Sequence, residues 1–185
     1  MTAERETEVL AAVLQLLHEV GYEGLTMDAV ATRARCGKAT LYRQWRGKPG
    51  LVAAALNASR PDGFGQVDTG SLRGDLLVIL TAMANKAADE TVLISGLARA
   101  MLLDKELAST LRETLVVPQD AMLAAIVDRA VARGELPARP AATAWLGQLV
   151  FGSVLCRPLL QDEYADDVYL VRFLDEALLP ALLHS

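Results

Sequence analysis

Residues 26–56 read TMDAVATRARCGKATLYRQWRGKPGLVAAAL, and the fold turns on how this stretch is parsed. Met27, Val30, Ala31 and Ala34 recur at the three- and four-residue spacing of one helical face. Thr26 stands where a hydroxyl caps the first turn, and Asp28 where the helix dipole favours an anion. Arg35-Cys36-Gly37 interrupts the pattern, with Gly37 free to take a turn or cap conformation that costs other residues more. A second short helix then fits 38–45. Leu41 and Trp45 are spaced to pack inward, which leaves Lys38, Thr40, Tyr42, Arg43 and Gln44 directed elsewhere. Two short helices, a three- or four-residue turn and a donor-rich second helix meet the requirements of a helix-turn-helix.

Charge points the same way. From Ala29 to Arg60 there is no acid, yet there are seven bases: Arg33, Arg35, Lys38, Arg43, Arg46, Lys48 and Arg60. The protein as a whole carries −5, so this run is a local exception. A DNA duplex presents one phosphate charge per roughly 1.7 Å of axis and rewards such a patch through counterion release. A basic run is more often only a solvated face. Its coincidence with the helical pattern favours nucleic-acid binding here.

The segments Gly21-Tyr22-Glu23-Gly24-Leu25-Thr26, Ala34 through Trp45, and Gly47-Lys48-Pro49-Gly50-Leu51 resemble the N-terminal domain of tetracycline-repressor-like (TetR family) transcriptional regulators. The specific parts are the Thr-Leu-Tyr-Arg-x-aromatic core and the Lys that opens the next helix. The likeness is close over roughly the first sixty residues and extends beyond them only in length and helical pattern. There are departures: Arg35 stands where the family usually has Gly, Cys36 replaces an aliphatic residue, Gly37 a capping Ser or Thr, and Trp45 a Phe. By this resemblance 38–44 enters the major groove. Lys38, Ala39 and Thr40 then lie near base edges or phosphates, and Tyr42, Gln44 and Lys48 contact phosphates. Thr26 heads the preceding helix, and Arg43 is a base or phosphate contact. Leu41 and Trp45 hold the helix in place.

A length of 185 residues suits one core or two small ones. Ala, Leu and Val dominate a 52% hydrophobic composition with 5% aromatics. No concentration of β-branched or aromatic residues alternates as strands require, so the class is all-α. Val9, Leu10, Val13, Leu14, Leu16 and Leu17 define a first helix over 4–20 that Gly21 ends, and a fourth runs from Lys48-Pro49 to about Ala58. Residues 59–70 then bring one proline and three glycines in twelve positions, which places a boundary. The expected division is a helix-turn-helix domain over 1–60 and a helical ligand-binding and dimerisation domain over 61–185. Residues 1–60 hold eight bases and six acids; 61–185 hold ten and seventeen. The first part can therefore meet DNA while the second is repelled.

Further helices are read at 71–89, 90–103, 119–133 and 140–160, with a last one at 168–183. Between them lie a short amphipathic piece at 104–115, punctuated by Pro118, and an acidic loop at 161–167. Residues 90–103 are apolar nearly all round and are expected at the centre of the second domain. Ala132-Arg133-Gly134-Glu135-Leu136 is similar to a turn in the family's ligand domains. Both C-terminal helices are too apolar for a small domain's own core. They are expected to pair with their two-fold mates as a four-helix bundle in a homodimer, an arrangement the resemblance also implies.

Catalytic and metal chemistry lacks material. His18 and His184 sit in no nucleophile or ligand motif, and the acids of 162–167 lack the glycine and spacing of a calcium loop. Gly63-Phe64-Gly65 follows no strand, so it is no phosphate cradle. Cys36 and Cys156 make no metal or redox spacing, and Cys36 reads as a small buried hydrophobe rather than a thiol switch. No enzyme, cofactor or metal is expected. With no leader before the first charges and no apolar run of about 18 residues, the expected location is cytoplasmic, without a membrane partner.

What remains for the second domain is binding. Met83, Asn85, Arg99, Met101, Met122, Trp145, Gln148 and Phe151 are the candidate lining of a site for a small apolar or aromatic effector. Met and aromatic residues at helical spacing are also ordinary core. The reading is a ligand-responsive repressor that binds a near-palindromic double-stranded DNA operator as a dimer. Its effector releases it by favouring a head spacing that no longer matches successive grooves. The alternative is a ligand-sequestering or interaction protein whose head no longer binds DNA, for which the unusual 35–37 turn is the support.

Overall fold

The computed structural model describes residues 1–60 and 67–184, apart from the side chains of Ala88 and Asp89. Regular structure among the described residues is helical throughout. The chain packs as two units, Met1–Arg60 with Val92–Val117, and Pro61–Thr91 with Pro118–Ser185. Most of the boundary expected at 59–70, including Gly63-Phe64-Gly65, lies outside the described residues.

In the first unit, α1 (Ala3–Gly24) begins at Thr2, whose hydroxyl accepts from the Arg5 N–H at 3.3 Å, with Glu4 and Glu6 in the first turn. Regular winding stops at Gly21, where φ is 68°. Only glycine enters that region without a Cβ penalty. One more turn carries Tyr22 into the core, and the Leu25 N–H bonds back to the Gly21 and Tyr22 carbonyls. Then come α2 (Met27–Arg33), α3 (Lys38–Trp45) and α4 (Lys48–Ala58). Val9, Val13, Leu17, Val30, Leu41, Leu51 and Val52 form their common core. Each wholly buried leucine there contributes about 1.5–3 kcal/mol over an exposed one.

α5 (Leu72–Leu103) was expected as two helices meeting at residue 90, and its backbone leaves helical values at Glu90 (φ −123°, ψ 16°). The expectation that 90–103 lies central in the second unit is overturned. Leu93, Leu97 and Ala100 belong to the first core, while Val92 is 88% exposed and Leu102 86%. The reason is that a helix apolar all round carries no face pattern to choose between cores. The choice falls to specific ties: Arg99 pairs with Glu23 at 2.5 Å, and Asp104 accepts from the Tyr22 hydroxyl. Asp104 also caps α6 (Lys105–Leu111), accepting from the Leu107 N–H at 2.9 Å.

Pro118 does not punctuate the chain as expected. A single π turn, Arg112–Val116, leads directly into α7 (Val117–Ala132). A proline in a helix lacks the N–H and crowds the carbonyl four residues back; a widened turn ahead of it relieves both. The same device recurs at Leu174–Leu178, ahead of Pro180. α7 ends at Gly134 (φ 79°), which donates to the Val131 carbonyl at 3.0 Å.

The second unit continues with a 3₁₀ turn at Ala141–Trp145, then α8 (Leu146–Leu155) and α9 (Arg157–Gln161). The single helix expected over 140–160 is thus broken at Cys156, one residue before the Arg157-Pro158 start of α9. Arg157 gathers the acidic loop, donating to Glu163 at 2.6 Å and to the Tyr164 carbonyl at 2.8 Å while lying 4.0 Å over the Tyr169 ring. Asp166 caps α10 (Asp167–Phe173), which passes through the second π turn into α11 (Leu179–Leu183). Leu76, Ile79, Leu80, Leu123, Ile126, Val150, Leu170 and Leu174 fill this core. Asp75 is fully buried among them and accepts from the Thr69 N–H at 2.6 Å, the Thr69 hydroxyl at 2.8 Å and Arg129 at 3.3 Å. Burial pushes its carboxyl up, but these bonds outweigh it and hold the group below the ordinary carboxylate range.

Candidate nucleic-acid interface

The helix-turn-helix is built from α2, the 34–37 turn and α3. Thr26 caps α2, its hydroxyl accepting from the Ala29 N–H at 3.1 Å. In the turn, Cys36 donates its N–H to the Ala31 carbonyl at 2.9 Å. Cys36 itself is half-buried against the first core. The left-handed residue is Arg35 (φ 49°). Gly37, expected to take a turn or cap conformation, is the N-cap of α3 at φ −72°, without a side-chain cap. Sequence reading missed the brace that makes this tolerable. Arg5 of α1 donates to the carbonyls of Ala34 and, at 3.0 Å, of Arg35. A partner thirty residues away leaves no local signal.

α3 presents two faces. Leu41 and Trp45 are buried; Lys38, Ala39, Tyr42, Arg43 and Gln44 are exposed, and Thr40 is half-buried. Arg46 ends the helix in the left-handed region (φ 61°) and donates to the Tyr42 carbonyl at 2.9 Å. Gly50 lets α4 start hard against that end: a Cβ there would lie 2.2 Å from the Trp45 carbonyl oxygen.

The cations differ in their commitments. Arg33 is bound by Glu19 at 2.7 and 2.9 Å, and Lys38 by Asp28 at 2.8 Å. These partners raise the pKa of both bases. The Lys48 ammonium lies 4.1 Å over the Tyr22 ring and 3.4 Å from the Glu23 carbonyl. Desolvation lowers its pKa, against the opposing pull of Asp104 and Glu23. Arg60 donates to the Leu115 carbonyl at 2.6 Å. Among the described residues, Arg35, Arg43 and Arg46 have no acidic partner and present open guanidinium charge.

The candidate effector residues divide between the two units. Arg99 and Met101 belong to the first unit, Arg99 paired to Glu23 and Met101 packed on that core. Met83 and Met122 pack on the second core, with Gln119 Nε2 3.9 Å from the Met83 sulfur. Asn85, Trp145, Gln148 and Phe151 are exposed, Trp145 at 63%. A cleft of about 420 Å³ in the second unit is lined instead by Arg157, Gln161, Asp166, Tyr169, Arg172 and Phe173, among others. Among the described residues, no cluster of His, Cys, Asp or Glu is arranged to hold a metal, and no helix is long and apolar enough to cross a membrane.

A short helix anchored by Leu41 and Trp45, with its donors turned outward and flanked by unpaired guanidinium groups, defines a helix-turn-helix transcriptional regulator. Comparison with known proteins makes this specific. Residues 9–55 match the bacterial regulatory proteins of the tetR family, and 66–177 match the tetracyclin repressor-like C-terminal domain. The chain is 34% identical to an uncharacterized HTH-type transcriptional regulator of Mycobacterium tuberculosis, over 98% of its own length and 89% of the relative's. It is 36% identical to a DNA-binding transcriptional repressor TetR of Mycobacteroides abscessus, over 95% and 92%. Among solved structures, a TetR family transcription regulator superposes with a TM-score of 0.77 at 29% identity, covering 97% of this chain and 98% of that one. The chain belongs to the TetR family of transcriptional regulators.

Proposed function

We propose that this protein is a homodimeric repressor that binds a near-palindromic operator and is released by a small, largely apolar effector. The observation that carries the reading is the division of α3, whose buried Leu41 and Trp45 leave Lys38, Tyr42, Arg43 and Gln44 free to face DNA. In this reading 1–60 is the DNA-binding domain and 61–185 the effector and dimerisation domain. Thr26, Lys38, Ala39, Thr40, Tyr42, Arg43, Gln44 and Lys48 form the contact surface. The description of the Mycobacteroides abscessus relative as a repressor supports repression.

Dimerisation through the C-terminal helices is supported by Trp145, Leu149, Phe151, Leu159, Leu160 and Val168, large apolar side chains left exposed on or beside α8, α9 and α10. Two heads about one helical turn apart, roughly 34–36 Å, then select the two half-sites. An effector acts by binding one head spacing better than the other. Met83, Asn85, Met122, Trp145, Gln148 and Phe151 remain the candidate effector contacts of the second unit, and Arg99 and Met101 those of the first. The rival reading, a head that no longer binds DNA, rested on the 35–37 turn, and Arg5 closes that turn.

The test is fluorescence anisotropy on the duplex upstream of the protein's own coding region, against a scrambled duplex, over a salt series. Tight binding with a steep salt slope and preference for the native duplex is expected. No binding to any duplex at low salt would remove the regulator reading and leave the ligand-binding one. Failure of every apolar or aromatic compound to shift melting temperature or DNA affinity would remove the proposed effector class.

A further inference from the structure

A carboxylate on a surface that meets a polyanion is unfavourable unless it has a task there. Between Gly24 and Arg60 the chain carries one acid, Asp28, and its side chain is 74% exposed. It stands in the first turn of α2, and its Oδ2 accepts from the Lys38 ammonium at 2.8 Å. Lys38 is the first residue of α3. When a helix-turn-helix docks, the N-terminal residues of its second helix meet base edges. The Asp28 carboxylate therefore arrives at the same edges as Lys38.

The pair keeps unused capacity. An ammonium has three donors and Asp28 takes one; Oδ1 of Asp28 has no partner among the described residues. Its tip therefore offers two donors beside one acceptor. In the major groove a G·C pair offers two neighbouring acceptors, guanine N7 and O6, followed by the cytosine N4 donor. An A·T pair interposes the adenine N6 donor and then turns the thymine O4 acceptor and methyl toward the carboxylate. The pattern of the pair complements G·C and clashes with A·T.

We propose that Asp28 and Lys38 together read one G·C base pair in each operator half-site, Lys38 donating to guanine and Asp28 accepting from cytosine N4. The proposal rests on the DNA-binding reading above and adds to it a specificity residue on α2. A plain surface ion pair, which contributes little to stability, leaves no mark on base preference, so base preference is the readout.

The experiment is selection from random duplexes by the full-length protein, its Asp28→Ala and Asp28→Asn variants and Lys38→Ala. Anisotropy then follows on the selected duplex with single base pairs changed. The wild-type motif is expected to hold one position in each half-site at G·C, with discrimination against A·T of roughly tenfold to a hundredfold. Asp28→Ala is expected to weaken that discrimination at that position alone, and Lys38→Ala to remove the guanine contact there. Asp28→Asn is expected to move it toward A·T, since an amide pairs with adenine N6 and N7. If Asp28→Ala fails to fold, the isosteric Asp28→Asn decides alone. An unchanged motif, or uniform weakening at every position, would overturn the proposal while leaving the regulator reading standing. A wild-type protein that selects no motif would overturn both.

Discussion

The Tyr22 hydroxyl donates to Oδ2 of Asp104 at 2.9 Å, tying the last turn of α1 to the cap of α6. The same ring carries the Lys48 ammonium on its face at 4.1 Å. One phenol thus holds both the cap of α6 and the cation that opens α4, the helix that follows α3. Asp104 answers with its other oxygen, which accepts from the Leu107 N–H at 2.9 Å.

Removing that hydroxyl tests the tie. Tyr22→Phe is expected to cost about 1 kcal/mol in urea unfolding, since the ring stays and one hydrogen bond goes. The fold raises the Tyr22 pKa, by burial first and then by the bond to Asp104. The folded chain therefore keeps a proton that the unfolded chain gives up near pH 10. Stability from this group is complete below about pH 10 and is lost as pH rises beyond it. The Phe variant is expected to show a flatter alkaline profile.

Asp75 gives the opposite slope. Its pKa is depressed in the fold, so its contribution is complete above the ordinary aspartate value of about 3.9 and is lost as pH falls through the folded value. Acid unfolding of Asp75→Asn is expected to lack this component. Asp75→Ala is expected to cost about 2–3 kcal/mol at neutral pH, measured by urea unfolding. That is below the loss from breaking a fully buried pair, because Arg129 and Arg133 keep 34% and 26% of their side chains in water.

Gly50→Ala probes the junction of α3 and α4. The new methyl carbon would meet the Trp45 carbonyl oxygen at 2.2 Å, so backbone must move. Destabilisation of about 1–3 kcal/mol is expected. A changed near-ultraviolet tryptophan signal and loss of operator affinity should accompany it, since Trp45 anchors α3.

Arg35→Gly separates strain from charge. Glycine occupies φ 49° without the Cβ penalty, so thermal stability is expected to rise by about 0.5–1 kcal/mol. A weaker variant by urea titration would show that the Arg5 brace already absorbs the strain.

Arg43→Ala addresses the open guanidinium on α3. If Arg43 meets a phosphate, the slope of log affinity against log salt is expected to shrink by about 0.9, with binding weakened evenly across sequences. An unchanged slope with altered base preference would place Arg43 on a base edge instead.

The amphipathic spacing of Met27, Val30, Leu41 and Trp45, the cap at Thr26, and the acid-free run after Asp28 made the helix-turn-helix, the all-helical class and the outward face of α3 legible from the chain alone. These are local properties: periodicity assigns a residue to a face, and a cap needs only its neighbours in sequence. Periodicity does not say which core a face joins. Residues 90–103, apolar on every side, were drawn to the first unit by Glu23 and Tyr22. Arg35 took the left-handed turn, where Arg5 reaches its carbonyl from α1. Pro118 read as a stop, yet the packing of the helices around it kept the run continuous through a widened turn. Asp28, read as a first-turn anion, became the partner of Lys38 only when two helices ten residues apart were laid side by side. Each of these was decided by contacts between segments distant in sequence, whose energies no local window contains.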